Sequence, residues 1–147
     1  MKKLVVSILA GAIVATIAVL AISNPFAGAG TTTQTKLIAE LTATNADPLA
    51  SGKTKWEERF DAGVLERRRT STEVEDVATT GNHEVRVTRS GSPIATMTVS
   101  VDALGFGDLN LDSRDGDTVE VLAAGDLVEV LNPNSDVILT GTLQLKQ

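Results

Sequence analysis

The chain has 147 residues, a formal net charge of −6 at pH 7 and no cysteine. An acidic surface repels nucleic acid and anionic lipid, so neither is an expected partner. Without cysteine the protein forms no disulfide and has no thiolate nucleophile or thiolate metal ligand. Stability must therefore come from the hydrophobic core.

Residues 1–30 have the pattern of an export signal. Two lysines precede the uncharged run Leu4–Ile22, and an Ala-x-Ala pattern then ends at Ala29. This arrangement predicts a signal peptide cleaved after Ala29. At 19 residues, the apolar run is also long enough for an uncleaved membrane anchor with its lysines inside. Both interpretations stay open, and both place residues 31–147 outside the cytoplasm.

Residues 31–147 are long enough for one hydrophobic core, so we expect a single domain. Short alternating runs broken by Gly, Pro, Asn and Asp predominate, which favours antiparallel strands over helices. The predicted strands are 36–44, 53–61, 64–77, 84–88, 94–101, 126–131 and 136–145. The sequence therefore predicts an all-β fold: a small antiparallel β-sandwich of about seven strands behind an N-terminal hydrophobic signal or anchor helix.

The alternation also predicts which side chains face the core. Leu37, Ala39 and Leu41 share one face of the first strand, and Trp56 is expected to be the central core aromatic. The single histidine, His83, lies beside a turn at a strand start. We expect an exposed or locally hydrogen-bonded imidazole there rather than a catalytic base.

One stretch between the predicted hairpins, 105–120, carries oxygen ligands at the spacing that a hard cation requires. The candidate metal ligands are Asp108, Asn110, Asp112, Asp115, Asp117 and Glu120. The match to an EF-hand loop fails at the turn glycine and at the final glutamate. Leu109 and Leu111 are instead spaced like the inward residues of a strand. Calcium binding and a solvated strand followed by an Asp-Gly turn are therefore both interpretations of this stretch.

Two further features are candidate contact sites. The contact candidates are the basic run Arg67, Arg68 and Arg69, and the glycine-flanked aromatic Phe106. The arginines suit an acidic glycan or a carboxylate, but Glu66, Glu73 and Glu75 crowd them, which favours a solvated face. Phe106 is the aromatic residue expected to be exposed. Neighbouring glutamates face opposite sides of a strand, so ion pairing explains them better than a glycosidase carboxylate pair.

Five short motifs resemble a group of exported bacterial β modules of similar size and unknown function. The motifs are Ala-Ser-Gly-Lys-x-Lys-Trp at 50–56, Val-Glu-Asp-Val at 74–77, Gly-Phe-Gly-Asp-Leu-Asn-Leu-Asp at 105–112, Gly-Asp-Thr-Val at 116–119 and Ala-Gly-Asp-Leu-Val-Glu-Val at 124–130. The resemblance covers residues 36–145 and implies a β-sandwich that occurs singly or in tandem. Because the motifs mark turns and strand edges, no functional residue carries over.

The sequence thus predicts an exported, non-catalytic binding or structural module that acts through protein or surface contacts at the bacterial envelope or outside the cell. The alternative is a calcium-stabilised adhesion or glycan-binding module that uses residues 108–120. A hydrolase with acidic catalytic residues is the third choice. No cofactor other than calcium is expected, the partner is unknown, and membrane contact is expected only through residues 4–22 if they are not cleaved. The location is periplasmic, extracellular or membrane-anchored and facing outward.

Overall fold

The computed structural model describes residues 30–147, so the predicted signal or anchor helix lies outside the described residues. This part of the chain consists of nine strands without an α-helix. The strands are β1 (Thr32–Ala43), β2 (Ser51–Asp61), β3 (Val64–Glu75), β4 (Gly81–Arg89), β5 (Ser92–Val101), β6 (Gly107–Asp112), β7 (Leu127–Leu131), β8 (Val137–Thr142) and β9 (Gln144–Leu145). A 3₁₀ turn, Ser113–Asp115, follows β6.

The strands form one antiparallel sheet in the order β2-β3-β6-β5-β4-β7-β8-β1. β1 also pairs with β2, from Thr32 to Leu41, so the sheet closes into an eight-stranded barrel. On its other edge β1 pairs with β8 at Thr42 and Ala43. The two residues of β9 pair further along the same edge. β9 is therefore an extra short strand that completes the seam between the two ends of the chain.

The predicted β-sandwich is wrong, although the all-β class and the antiparallel strands are confirmed. A sandwich and a barrel share the same two-residue alternation of inward and outward side chains. They differ in which distant strands pair, and here β3 pairs with β6, β4 with β7 and β1 with β8. No local pattern encodes those pairings. The interpretation of the acidic stretch as a strand followed by an Asp-Gly turn is confirmed by β6 and the turn that ends at Gly116. The last predicted strand is divided at Leu143.

The core is the barrel interior, and its predicted members are largely confirmed. Leu37, Ala39 and Leu41 are buried, and Trp56 is 2% exposed. His83 is fully buried, so the expectation of an exposed imidazole is wrong. The reason is that β4 begins at Gly81, three residues before the predicted start, which puts position 83 in the inward register. The expected local hydrogen bond is present, because His83 Nδ1 lies 3.0 Å from the Gly81 carbonyl oxygen.

The core also contains one buried pair of hydroxyl groups. Thr54 in β2 lies directly opposite Thr72 in β3, and neither side chain is exposed to solvent. Their Oγ1 atoms are 2.9 Å apart, so each hydroxyl satisfies the other. A buried hydroxyl without a partner is destabilising, whereas a satisfied pair is close to neutral.

We predict that Thr54→Val destabilises the protein by about 1–3 kcal/mol, because it leaves the Thr72 hydroxyl without a partner. The double variant Thr54→Val, Thr72→Val should recover most of that loss, since it removes both polar groups. Urea unfolding measures the free energy of unfolding of each variant. Thr35→Val, at an exposed β1 position, is the matched control. A double variant whose loss equals the sum of the two single losses would contradict the prediction.

Candidate functional site

Residues 113–126, the crossing segment, connect β6 to β7 at one end of the barrel. Because β5 and β4 lie between those strands in the sheet, the segment passes beneath both of them. Barrel side chains donate hydrogen bonds to three successive carbonyls: Arg68 Nη1 to Val119 (3.3 Å), Trp56 Nε1 to Glu120 (3.0 Å) and Arg89 Nη2 to Val121 (3.2 Å). Val119 and Leu122 are buried in the core. The crossing segment therefore closes this end of the barrel.

β5 and β6 are consecutive in the chain, yet only two residue pairs join them, Ser100 with Asp108 and Val101 with Gly107. Glycine at 107 permits this close junction, because an added Cβ would lie 2.7 Å from the Ser100 carbonyl oxygen. Beyond the junction β6 remains paired with β3, and β5 remains paired with β4. The two strands consequently diverge toward the crossing segment and leave an opening in the barrel wall, the lateral slit.

The lateral slit leads into a cavity of about 520 Å³ between β5, β6 and the crossing segment. The apolar side chains that line the cavity are Ile94, Ala95, Met97, Leu109, Leu111, Val119 and Leu122. Those from β5 and β6 are half-buried and pack against the core on one side. Their other side faces the slit. The polar residues of the lining are Thr70, Thr96, Thr98, Thr118 and Glu120.

Backbone groups on the β5 side of the slit have no strand partner. In the turn after β5, Asp102 N–H donates to the Phe106 carbonyl at 2.8 Å. In an antiparallel ladder such pairs recur at every second residue, so Ser100, Thr98 and Thr96 also point their N–H and C=O groups toward β6. Ser100 has its partner there. Within residues 30–147, Thr98 and Thr96 have none on that side.

On the β6 side the same alternation places the N–H and C=O of Asn110 in the slit. The next such position, Asp112, is already satisfied. Its N–H donates to Asp117 Oδ2 at 2.9 Å, and its carbonyl accepts from Asp117 N–H at 3.2 Å. Asp117 thus ends the open edge, and the unpaired backbone of the slit belongs to Thr96, Thr98 and Asn110.

The six predicted metal ligands are not brought together. Asp112 accepts from Arg67 Nε at 2.8 Å, and Asn110 Oδ1 accepts from Arg69 Nε at 2.9 Å. Asp117 caps β6, while Asp108, Asp115 and Glu120 are exposed in β6, in the 3₁₀ turn and in the crossing segment. The residues that the structure describes contain no group of three or more His, Asp or Glu side chains placed to hold a metal ion. Calcium binding stays a prediction without geometric support.

The arginine run joins neighbouring strands. Arg67 and Arg69 reach Asp112 and Asn110 in β6, and Arg68 Nε donates to Glu58 Oε2 in β2 at 2.8 Å. The run therefore links β3 to both of its neighbours. This arrangement does not support the prediction that the arginines bind an acidic ligand. Glu73, another carboxylate weighed for hydrolysis, lies 3.3 Å from Lys55 Nζ.

Phe106 lies in the turn between β5 and β6, at the opposite end of the barrel from the crossing segment. Its side chain is 46% exposed, which confirms the expected exposure. Leu104 in the same turn is 77% exposed. The slit residues, in contrast, were not singled out from the sequence, because Ala95 and Met97 share the alternation of the fully buried Val99. The one available signal was the long stretch after β6 that lacks strand alternation but contains apolar residues at 119 and 122.

Two aspartate–arginine pairs hold the ends of the crossing segment. Asp112 contacts Arg67 where the segment begins, and Asp126 contacts Arg89 where it ends. The second pair is bidentate, with both N···O distances 2.8 Å, and Asp126 also accepts from the Ala123 N–H. The hydrogen bond from its arginine lowers the pKa of each aspartate below the ordinary value. Both pairs therefore stabilise the fold while the carboxylates are ionised.

We predict that Asp126→Asn lowers the free energy of unfolding at pH 7, and that the difference from the natural protein shrinks as the pH falls from about 5 to about 2. Because the folded pKa lies below the unfolded value of about 3.9, the stabilisation is complete above that value and is lost as the pH falls through the folded pKa. Urea unfolding across this range measures it. Asp115→Asn, which removes the same charge from an exposed side chain, is the control. A difference that does not depend on pH would contradict the prediction.

Comparison with protein families and with curated proteins adds no relative. No protein-family model matches the chain, and no curated protein matches it either. The resemblance to exported bacterial β modules therefore stays a prediction from the sequence motifs, and the functional argument rests on the geometry of the lateral slit.

Proposed function

We propose that residues 31–147 are an exported, non-catalytic binding module that receives an apolar group of its partner in the lateral slit. The observation that carries this proposal is the cavity of about 520 Å³ that opens sideways between β5 and β6. Its volume lies within the range of about 300–1,000 Å³ that is typical of ligand sites. Half-buried apolar side chains line it, with threonine hydroxyls around them.

The chemistry around the slit supports binding rather than catalysis. General acid–base catalysis needs a titratable group within reach of the reacting atoms. The lining contains one carboxylate, Glu120, and no histidine. A glycosidase needs two carboxyl groups that face each other across the substrate. The side chains of Glu58 and Glu73 are instead paired with Arg68 and Lys55.

The location is proposed from the export signal in residues 1–30. That pattern supports a periplasmic, extracellular or outward-facing anchored module, with membrane contact assigned to residues 4–22 if they are not cleaved. Within residues 30–147 no helix is both long enough and apolar enough to cross a membrane. The partner is proposed to be a protein or a surface component, consistent with an acidic chain that repels nucleic acid.

We predict that the uncharged apolar dye N-phenyl-1-naphthylamine binds the native protein in the slit. Met97 lines the cavity and is the only methionine besides Met1. Selective ¹³C-methyl labelling of methionine therefore gives a reporter inside the site, and the Met97 methyl signal should shift as the dye is added. Ala95→Phe should weaken binding, because its ring would occupy the cavity.

Leu104→Ala is the matched control, since it removes an exposed apolar side chain at the other end of the barrel. It should leave dye binding unchanged. Cooperative unfolding of each variant confirms that it is folded. A Met97 methyl signal that does not respond to the dye, or dye binding that Leu104→Ala abolishes, would overturn the proposed function.

A further inference from the structure

We propose that the occupant of the lateral slit is an extended peptide that adds a strand between β5 and β6. This proposal rests on the proposed function of the slit and names the chemistry of the partner. The guest is a segment of about five or six residues, because the open part of β5 runs from Ile94 to Val99 and strands of that length are common.

The unpaired backbone of the slit favours a peptide over a small apolar molecule. Thr96 and Thr98 present N–H and C=O groups from one edge, and Asn110 presents them from the other. No backbone hydrogen bond joins the crossing segment to β5 within the described chain. A small molecule would fill the cavity and leave these groups to water. An extended peptide carries alternating donors and acceptors on both edges and pairs with both strands, which is strand addition.

The side chains on the two faces of the slit require a guest with alternating character. Residues on one face of the guest would contact the apolar lining, including Met97 and Leu111. Residues on its other face would lie beside the exposed threonines of β5 and be in water. Since successive side chains of a strand point to opposite faces, the guest has apolar residues at every second position and polar residues between them.

The charge distribution favours basic residues at the polar positions. Nine of the 11 lysine and arginine side chains in residues 31–147 lie within ion-pair distance of a carboxylate; Arg69 and Lys146 are the exceptions. Asp108 at the paired end of the slit and Glu120 at the crossing segment are exposed, and neither is in an ion pair within the described residues. These charges are screened by water, so they select and orient the guest more than they hold it.

The test uses the ¹⁵N-labelled protein with ¹³C-methyl methionine and the synthetic peptide acetyl-Lys-Val-Lys-Val-Thr-Val-Lys-amide at millimolar concentration. Binding should shift the Met97 methyl signal and slow hydrogen exchange of the Thr96, Thr98 and Asn110 amides by about tenfold or more. Replacing the central valine of the peptide by proline should abolish both effects, because proline removes a donor and disrupts pairing. Replacing its lysines by glutamates should weaken binding.

A protein variant tests the same contact from the other side. Thr98→Pro removes an N–H that the barrel does not use, at an edge position where proline is tolerated. It should still unfold cooperatively, which shows that it is folded, and lose the protection that the peptide confers on the Thr96 and Asn110 amides. Asn110→Pro makes the corresponding change on β6 and is the second variant if the first does not fold.

The outcomes separate the two proposals. A second peptide, Val-Lys-Val-Lys-Val-Thr-Val, has its apolar residues at the odd positions instead of the even ones. If the dye shifts the Met97 methyl signal but neither peptide protects the three amides, strand addition is wrong. The slit then remains a site for small apolar groups. If neither dye nor peptide moves the Met97 signal, both proposals fail. Protection of the three amides by the alternating peptides and not by the proline peptide supports strand addition.

Discussion

The hydrogen bonds that hold the crossing segment are the constraint on which the rest of the architecture depends. Three side chains from three different strands, Trp56 of β2, Arg68 of β3 and Arg89 of β4, each bind one of three successive carbonyls. They meet at one place only because the sheet has closed into a barrel. The segment in turn covers the end of the core and lines the cavity behind the lateral slit. One connection thus closes the end of the barrel and supplies part of the lining of the slit.

The lateral slit has to admit a partner without exposing the protein to aggregation through an open strand edge. Full closure removes the unpaired strand edges through which β proteins aggregate. Here a short open edge remains, and it is flanked by the polar side chains of Thr96, Thr98 and Asn110. Its length is limited at one end by the junction of β5 with β6 and at the other by Asp117, which caps the backbone of Asp112. A short, polar edge between two fixed ends limits self-association and still admits one guest strand.

The sequence predicted those features that depend on neighbouring residues. Two-residue alternation correctly placed Leu37, Ala39 and Trp56 in the core, because that alternation is a local property of a strand. It failed for the barrel, since closure depends on β1 meeting β8. For His83 the alternation held and the strand boundary was wrong: β4 begins at Gly81, so position 83 is in the strand and faces inward like Val85 and Val87.

The candidate sites show the same limit. Asp112 has the spacing of a metal ligand in the sequence, but the fold brings Arg67 to it from 45 residues away. An ion pair between strands that are far apart in the sequence cannot be predicted from residue spacing along one of them. The slit was equally hidden, because it arises from the number of residue pairs between β5 and β6 and not from the composition of either strand. Met97 and Val99 have the same alternation, yet only Val99 is fully covered.

The seam at β1 has a consequence for the order in which the chain folds. β1 pairs with β2 on one edge and with β8 and β9 on the other. Thr42 and Thr140, which are in contact across this second edge, are 98 residues apart in the sequence. Contacts between such distant residues form slowly, because the chain must lose the conformational entropy of closing a long loop before the contacts stabilise it. During folding, β1 is therefore paired on one edge only until β8 and β9 are in place. In that interval the sheet is open at the β1 edge, and under the proposed export this open edge is what proteases and chaperones outside the cytoplasm would meet.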